Sequence, residues 1–242
     1  MKTYGLIGRS LGHSFSKSFF KNYFSEHSIQ ARYENFELET IDEVSSLFEQ
    51  EISGFNVTIP YKEVILPFLD ELTDESKLIG AVNVVQILNG RKIGHNTDAF
   101  GFHQSIKPFL TNQHERAIIF GTGGASKAVE FVLKKIGVEV IFISRNPVGP
   151  DQFHYDEVNH HMLHGCKLLV NTTPVGTFPQ VDECIDIPFS ALSPEHLVVD
   201  LIYNPAKTKF LERAESEGAM ILNGNSMLRE QALKSWKIWS EQ

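Results

Sequence analysis

Ala117-Ile118-Ile119-Phe120-Gly121-Thr122-Gly123-Gly124-Ala125-Ser126 decides the fold. Residues 117–120 read as a buried strand, 121–124 as a glycine turn, and 125–136 as a helix closed by Gly137. A further β-branched run follows at 138–143. Strand, turn, helix and strand within about 30 residues make a βαβ unit. In that context a glycine turn reads as a dinucleotide fingerprint. Gly121 permits the tight turn and Gly123 lets backbone approach a pyrophosphate. The helix N-terminus offers unpaired N–H groups and the positive end of its dipole. Ser126 stands where Gly or Ala is usual, so the pattern is a variant, and a plain βα connection is the bland alternative. The second strand ends Ile143-Ser144-Arg145-Asn146. An acid there binds the ribose 2′-hydroxyl of NAD. Arg145 instead suits a 2′-phosphate and stacks on adenine, which favours NADP. The alternative is a surface arginine at a strand end.

Outward from this unit, apolar runs at 168–170, 198–202 and 220–222 supply more parallel strands. Residues 227–239 place Leu228, Ala232, Trp236 and Trp239 on one helical face, which reads as core packing against the first domain rather than as a partner-binding helix. Toward the N-terminus, 4–7, 32–38 and 55–59 read as strands, the last ended by Pro60. Phe15, Phe19, Phe20, Tyr23 and Phe24 have helical spacing, and 42–50 also reads as a helix. Asn89-Gly90 between 82–88 and 91–94 is a strong hairpin signal. The order implies a parallel sheet with an antiparallel edge. A helical stretch then runs from Asp98 to about Leu110. The expected architecture is α/β in two domains. Residues 1–98, completed by about 225–242, form one, and 99–224 form a Rossmann-like nucleotide-binding domain.

Composition excludes several function classes. The 242 residues suit one large or two modest domains and carry a formal charge of -8. Excess acid disfavours nucleic acid and anionic lipid as partners, which need basic surface. Small anionic substrates need only a local positive site. Cys166 and Cys184 form no CxxC, and Cys166 reads as a buried thiol. That usage suits a reducing cytoplasm. The N-terminal apolar run is too short for a signal peptide, and no stretch is long enough to span a membrane. A cytoplasmic location is expected. His160, His161 and His164 include an i, i+4 pair without a nearby third ligand, so they are expected to be exposed and no metal is expected.

Polar residues cluster where the N-terminal strands end: His13-Ser14-Phe15-Ser16, residues 56–62, Ala81-Val82-Asn83 and Asn96-Thr97-Asp98. Ligands of open α/β sheets bind outside the carboxyl ends of the strands. Each residue has a plainer role available: Ser14 or Ser16 as an N-cap, Asn83 in a turn, Asp98 capping the next helix. Together they describe a pocket for a small polyol. Lys62 and Asp98 are the natural acid/base pair within it. Alcohol oxidation takes a hydride from carbon, the nicotinamide's task, and a proton from oxygen. A lysine does the second when partial burial tunes it and a carboxylate orients it. Otherwise Lys62 is a solvated helix residue.

At this point the chain resembles the shikimate dehydrogenase family over nearly its whole length. The motifs occur in the family's order: His13-Ser14-Phe15-Ser16; Asn56-Val57-Thr58-Ile59-Pro60-Tyr61-Lys62; Gly80-Ala81-Val82-Asn83; Asn96-Thr97-Asp98-Ala99-Phe100-Gly101; Gly121-Thr122-Gly123-Gly124-Ala125; Asn171-Thr172-Thr173-Pro174-Val175-Gly176; Asp200-Leu201-Ile202-Tyr203-Asn204-Pro205; and Asn223-Gly224-Asn225-Ser226-Met227-Leu228 with Gln231.

The resemblance implies NADPH-dependent reduction of 3-dehydroshikimate to shikimate, in a cleft between two domains. It implies that Ser14 and Ser16 hold the substrate carboxylate. Thr58, Asn83, Asp98 and Gln231 bind ring hydroxyls, Tyr203 faces the substrate, and Lys62 is the acid/base. Gly121, Gly123, Gly124 and Ala125 carry the pyrophosphate. Ser144, Arg145 and Asn146 lie by the 2′-phosphate. Thr172, Leu201, Gly224 and Met227 complete the cofactor site, the last three along the nicotinamide side. Two departures bear on this. Lys17 stands where the family often has proline, and Arg145 is followed by Asn146-Pro147-Val148 without a second basic residue, which weakens the expected NADP preference. An NAD-using quinate/shikimate dehydrogenase and a non-catalytic shikimate-sensing protein are the alternatives. A small-molecule substrate is the expected partner, with the chain as a monomer or homodimer.

Overall fold

The computed structural model describes residues 1–12 and 14–241; His13, within the first motif, and Gln242 lie outside the described residues. In chain order the elements are β1 Lys2–Gly8, α1 Phe15–Glu26, β2 Ala31–Glu37, α2 Val44–Phe48, β3 Gly54–Val57, β4 Glu71–Leu72, α3 Asp74–Ile79, β5 Val84–Leu88, β6 Arg91–His95 and α4 Asp98–Ile106. They continue as β7 Arg116–Phe120, α5 Gly124–Lys135, β8 Glu139–Ile143, β9 Gln152–Phe153, α6 His160–Gly165, β10 Leu168–Asn171, β11 Leu197–Asp200, α7 Lys209–Ser216, β12 Met220–Leu222 and α8 Asn225–Ser240. They form two compact units, residues 1–100 with 231–242, and residues 101–230.

The first unit holds a six-stranded sheet in the order β2-β1-β3-β5-β6-β4. β1 is buried along almost its whole length and pairs in parallel with β2 and β3. Parallel neighbours need a crossover, and α1 supplies one. Its buried Phe20 stacks on Tyr33 of β2 at 4.5 Å between ring centroids. The final turns of α8 complete this core. Trp239 stacks on Tyr4 at 4.8 Å. Its indole N–H donates to the Val85 carbonyl at 3.1 Å, over the space that Gly54 leaves by lacking a Cβ.

Asn89 and Gly90 both take positive φ, 51° and 78°, the geometry a two-residue hairpin needs. The antiparallel β5–β6 pair is not the sheet's edge, however. β4, two residues long, pairs outside β6 and parallel to it. So short a strand carries no period for a sequence to display. The helix expected at 42–50 is instead a 3-10 turn, Ile41–Glu43, followed by the five residues of α2. The Thr40 backbone N–H donates to the Glu43 carboxylate at 2.9 Å, which closes that tighter turn.

The second unit carries the sheet β12-β11-β10-β7-β8-β9, with every pairing parallel. β10 and β11 are buried at all four positions, as strands covered on both faces must be. The order runs outward from β7 to β8 and β9, then restarts beside β7 with β10. That is the doubly wound dinucleotide-binding order, and its switch point lies between β7 and β10. The glycine turn leaves β7 there. Among the described residues, no helix is long and apolar enough to cross a membrane.

Candidate active site

Lys62 and Asp98 meet in the first unit. Lys62 Nζ donates to Asp98 Oδ2 at 2.6 Å, with side chains only 14% and 7% exposed. Two bonds hold the Lys62 segment. The Val82 N–H donates to the Lys62 carbonyl at 2.8 Å, and the Tyr61 hydroxyl to the Leu38 carbonyl at 2.6 Å. Asp98 opens α4, and Asn96 caps it, its Oδ1 accepting from the Ala99 N–H at 3.1 Å. The Asp98 carboxylate is left for Lys62 and for Asn83, whose Nδ2 donates to Asp98 Oδ1 at 2.9 Å. A buried ion pair holds only when its remaining lone pairs are satisfied, and Asn83 satisfies one. The Asn83 amide is itself oriented, because its Oδ1 accepts from the Thr97 N–H at 2.6 Å. Gln231 Oε1 closes the group, 3.4 Å from Asn83 Nδ2 and 3.5 Å from Thr97 Oγ1.

Ser14 stands at the N-cap of α1, but its hydroxyl makes no cap bond. That oxygen is buried and has no hydrogen-bond partner among the described residues. An unpaired buried hydroxyl is costly and calls for a ligand. Ser16 is buried in the first turn. Burial pushes the Tyr33 phenol well above its usual range, and Ser16 lies close enough to oppose the shift. Lys17 turns to Glu34 at 2.9 Å, both side chains about half exposed, so its charge is matched at the surface. Thr58 follows β3, its N–H donating to the Ile7 carbonyl at 2.9 Å.

In the second unit Gly121 has φ +100°, and a Cβ there would come within 2.9 Å of both Thr172 and Thr173. The Thr172 hydroxyl donates to the Phe120 carbonyl at 2.7 Å, so it braces the turn across the switch point. Gly123 is the N-cap of α5, and a Cβ on it would meet nothing within 4 Å. That empty space in front of the first N–H groups of a twelve-residue helix, which includes Gly124 and Ala125, fits a pyrophosphate. The Ser126 variant has a physical reason. Its buried hydroxyl donates to the Gly123 carbonyl at 2.6 Å, which satisfies the one polar atom it adds. After β8 the Ser144 hydroxyl accepts from the Asn146 N–H at 3.1 Å and turns the chain, leaving Arg145 exposed. Arg145 lies close enough to Tyr155 to oppose the rise that burial imposes on its phenol.

Asp200 lay inside a quoted motif, but the sequence reading gave it no role. It is fully buried at the end of β11. Its carboxylate accepts from Asn171 Nδ2 at 3.0 Å, the Ile202 N–H at 3.0 Å and the Thr208 hydroxyl at 2.6 Å. Burial pushes it up to about 6 despite those three donors. It thereby fixes the chain at Leu201–Tyr203. A Cβ on Gly224 would collide with the Leu201 carbonyl, while the Gly224 N–H donates to the Ile202 carbonyl at 3.0 Å. Met227 is buried one turn into α8, and Tyr203 is half-buried. Tyr33, Asn56, Thr97 and Ser235 also belong to the first unit's network and were missed. Asn56 and Thr97 lay inside quoted motifs, whereas nothing in the sequence marked Tyr33 or Ser235. His160, His161 and His164 are exposed on α6.

The chain is similar to known proteins along its whole length. Residues 6–85 match the family model described as the shikimate dehydrogenase substrate binding domain. The NADP+-dependent shikimate dehydrogenase of Pyrococcus abyssi (strain GE5 / Orsay) is 36% identical over 252 residues, covering 99% of this chain and 92% of the relative. The Thermus thermophilus shikimate 5-dehydrogenase, solved with NADP(H) and shikimate, superposes with a TM-score of 0.88 at 28% identity, over 100% of this chain and 94% of that one. The Listeria monocytogenes shikimate 5-dehydrogenase, solved with shikimate and NAD, gives 0.86 at 28% identity, over 100% and 92%.

Proposed function

The chain belongs to the shikimate dehydrogenase family, as an NADP-dependent oxidoreductase of the shikimate pathway that reversibly reduces 3-dehydroshikimate to shikimate, and from that premise we propose how its residues divide the work. Lys62 exchanges the proton of the reacting oxygen, and Asp98 orients both Lys62 and the substrate hydroxyl. The buried Lys62–Asp98 contact at 2.6 Å carries this reading. A protein that only sensed shikimate would have no need of the pair. Asn83, Thr58 and Gln231 bind ring hydroxyls, and Tyr203 faces the ring. Ser14 and Ser16 hold the carboxylate. The Ser14 hydroxyl, buried and without a partner among the described residues, supports that assignment most directly.

NADP, when bound, supplies or accepts the hydride. Gly121, Gly123, Gly124 and Ala125 would hold its pyrophosphate. Ser144, Arg145 and Asn146 would hold the 2′-phosphate, and Thr172, Leu201, Gly224 and Met227 would complete the site. A single exposed cation at the 2′ position also supports some use of NAD, the cofactor solved in the Listeria relative. We place the protein in the cytoplasm as a monomer or homodimer; the two free cysteines support the location. The test is spectrophotometric, with shikimate or quinate against NADP+ or NAD+. Turnover with shikimate is expected to be faster with NADP+ than with NAD+. Comparable rates with NAD+ or quinate would overturn that preference.

A further inference from the structure

We propose that Tyr33 and Ser235 are positioning residues for the substrate site, joined through Asn56 into a buried relay that sets the spacing between its Ser16 end and its Asn83–Gln231 end. The inference rests on reading Ser16, Asn83 and Gln231 as substrate ligands.

All three relay members are buried, Tyr33 at 5%, Asn56 at 4% and Ser235 at 0% exposure. The Tyr33 hydroxyl donates to Asn56 Oδ1 at 2.7 Å, and Ser16 lies close enough to the same phenol to lower its pKa. Asn56 Nδ2 donates to Ser235 Oγ at 3.0 Å and to the Asn83 carbonyl at 3.2 Å. The Asn56 amide thus spends its oxygen on one end of the site and its nitrogen on the other. Ser235 donates to the Gln231 carbonyl, one helical turn earlier, at 2.7 Å, and lies 3.2 Å from Thr97 Oγ1. Thr97 in turn touches both Asn83 and Gln231. The path therefore crosses β2, β3, the segment before β5, the start of α4 and α8. No shorter covalent route fixes these pieces, because Asn56 and Ser235 are 179 residues apart in sequence. A small polyol must find its carboxylate and hydroxyl partners at one fixed separation, and preorganisation of that separation governs affinity. Removing the Tyr33 hydroxyl takes away the donor to Asn56 Oδ1, and removing the Ser235 hydroxyl takes away one of the two acceptors of Asn56 Nδ2, so either cut loosens the buried amide.

The test measures kcat and the KM values for shikimate and NADP+ in Tyr33→Phe, Ser235→Ala and the double variant, with thermal melts of each. Each single variant is expected to raise the shikimate KM by roughly tenfold, with the NADP+ KM unchanged within about twofold. The double variant is expected to cost less than the product of the singles, because either cut already releases Asn56. A purely structural role would instead lower the melting temperature and leave the two KM values in proportion. Folded variants with an unchanged shikimate KM, or with multiplicative effects, overturn the relay. Ser16→Ala and Gln231→Ala separate this from a failure of the site reading. If they too leave the shikimate KM unchanged, the site reading falls and the relay with it. Should Ser235→Ala not fold, Ser235→Cys keeps the volume and a weak donor and takes its place.

Discussion

Lys62 and Asp98 show how much of an enzyme's chemistry rests on where one side chain is pointed. The ammonium is held at 2.6 Å by a carboxylate whose second oxygen is occupied by Asn83. With both side chains mostly out of water, neither can swing away without breaking a charged hydrogen bond in a place of low dielectric. Lys62→Ala is therefore expected to lower kcat by roughly 10²–10⁴-fold, the usual worth of a positioned acid/base. The NADP+ KM should stay unchanged, because the residues assigned to the cofactor lie elsewhere in the sequence. Steady-state kinetics check this, and normal turnover would sink the acid/base assignment. The same variant leaves the Asp98 charge buried without its partner, which costs about 3–5 kcal/mol where nothing compensates. Asn83 reduces that cost, so a folded but less stable variant is expected in thermal melts.

At the scale of elements, the β7–turn–α5 segment uses its glycines for two separate reasons, and substitution distinguishes them. Gly121 is required by backbone conformation and by crowding from Thr172 and Thr173. Gly121→Ala should cost about 1–3 kcal/mol of stability. Gly123 has open space where a Cβ would stand. Gly123→Ala should melt close to the wild type yet raise the NADP+ KM by roughly tenfold or more. Equal loss of stability in both, with no cofactor effect at Gly123, would remove the pyrophosphate from this turn. This segment was legible in the sequence because its constraints are local: a strand, a positive φ and a helix start within ten residues. The Asn89-Gly90 hairpin was legible for the same reason. β4 and β9 were not, since two-residue strands have no period. Nor was the true structure at 42–50, where the Thr40–Glu43 bond selects a tighter turn. The site divides along the same line. Lys62, Asp98 and Asn83 stand in motifs, whereas Tyr33 and Ser235 gain their meaning only from neighbours far along the chain.

For the whole molecule, the buried ionisable groups of the second unit pull stability in opposite directions with pH. Burial lowers the pKa of both His114 and His196. Each ring accepts a backbone N–H at Nδ1, from Thr111 at 2.9 Å and from Ser193 at 3.0 Å, an arrangement that only the neutral ring can make. The unfolded chain therefore binds protons first as pH falls below about 6.5, and stability is lost on the acid side. Asp200 does the reverse. Its folded pKa, pushed up to about 6, exceeds the ordinary aspartate value of 3.8, so the folded state binds the proton first. Its contribution is fully present below 3.8 and is lost as pH rises through about 6. The difference of roughly two pKa units amounts to about 3 kcal/mol. Asp200→Asn keeps the shape and can still pair with Thr208 and Asn171, but it has no proton to lose. From about pH 4 to 7 the wild type should thus lose about 3 kcal/mol relative to the Asn variant. The variant, without that opposing group, should show the steeper fall toward acid. Urea melts of both proteins across that range measure the gap directly. Parallel curves would mean that Asp200 stays ionised in the folded protein, and that its three donors outweigh the cost of its burial.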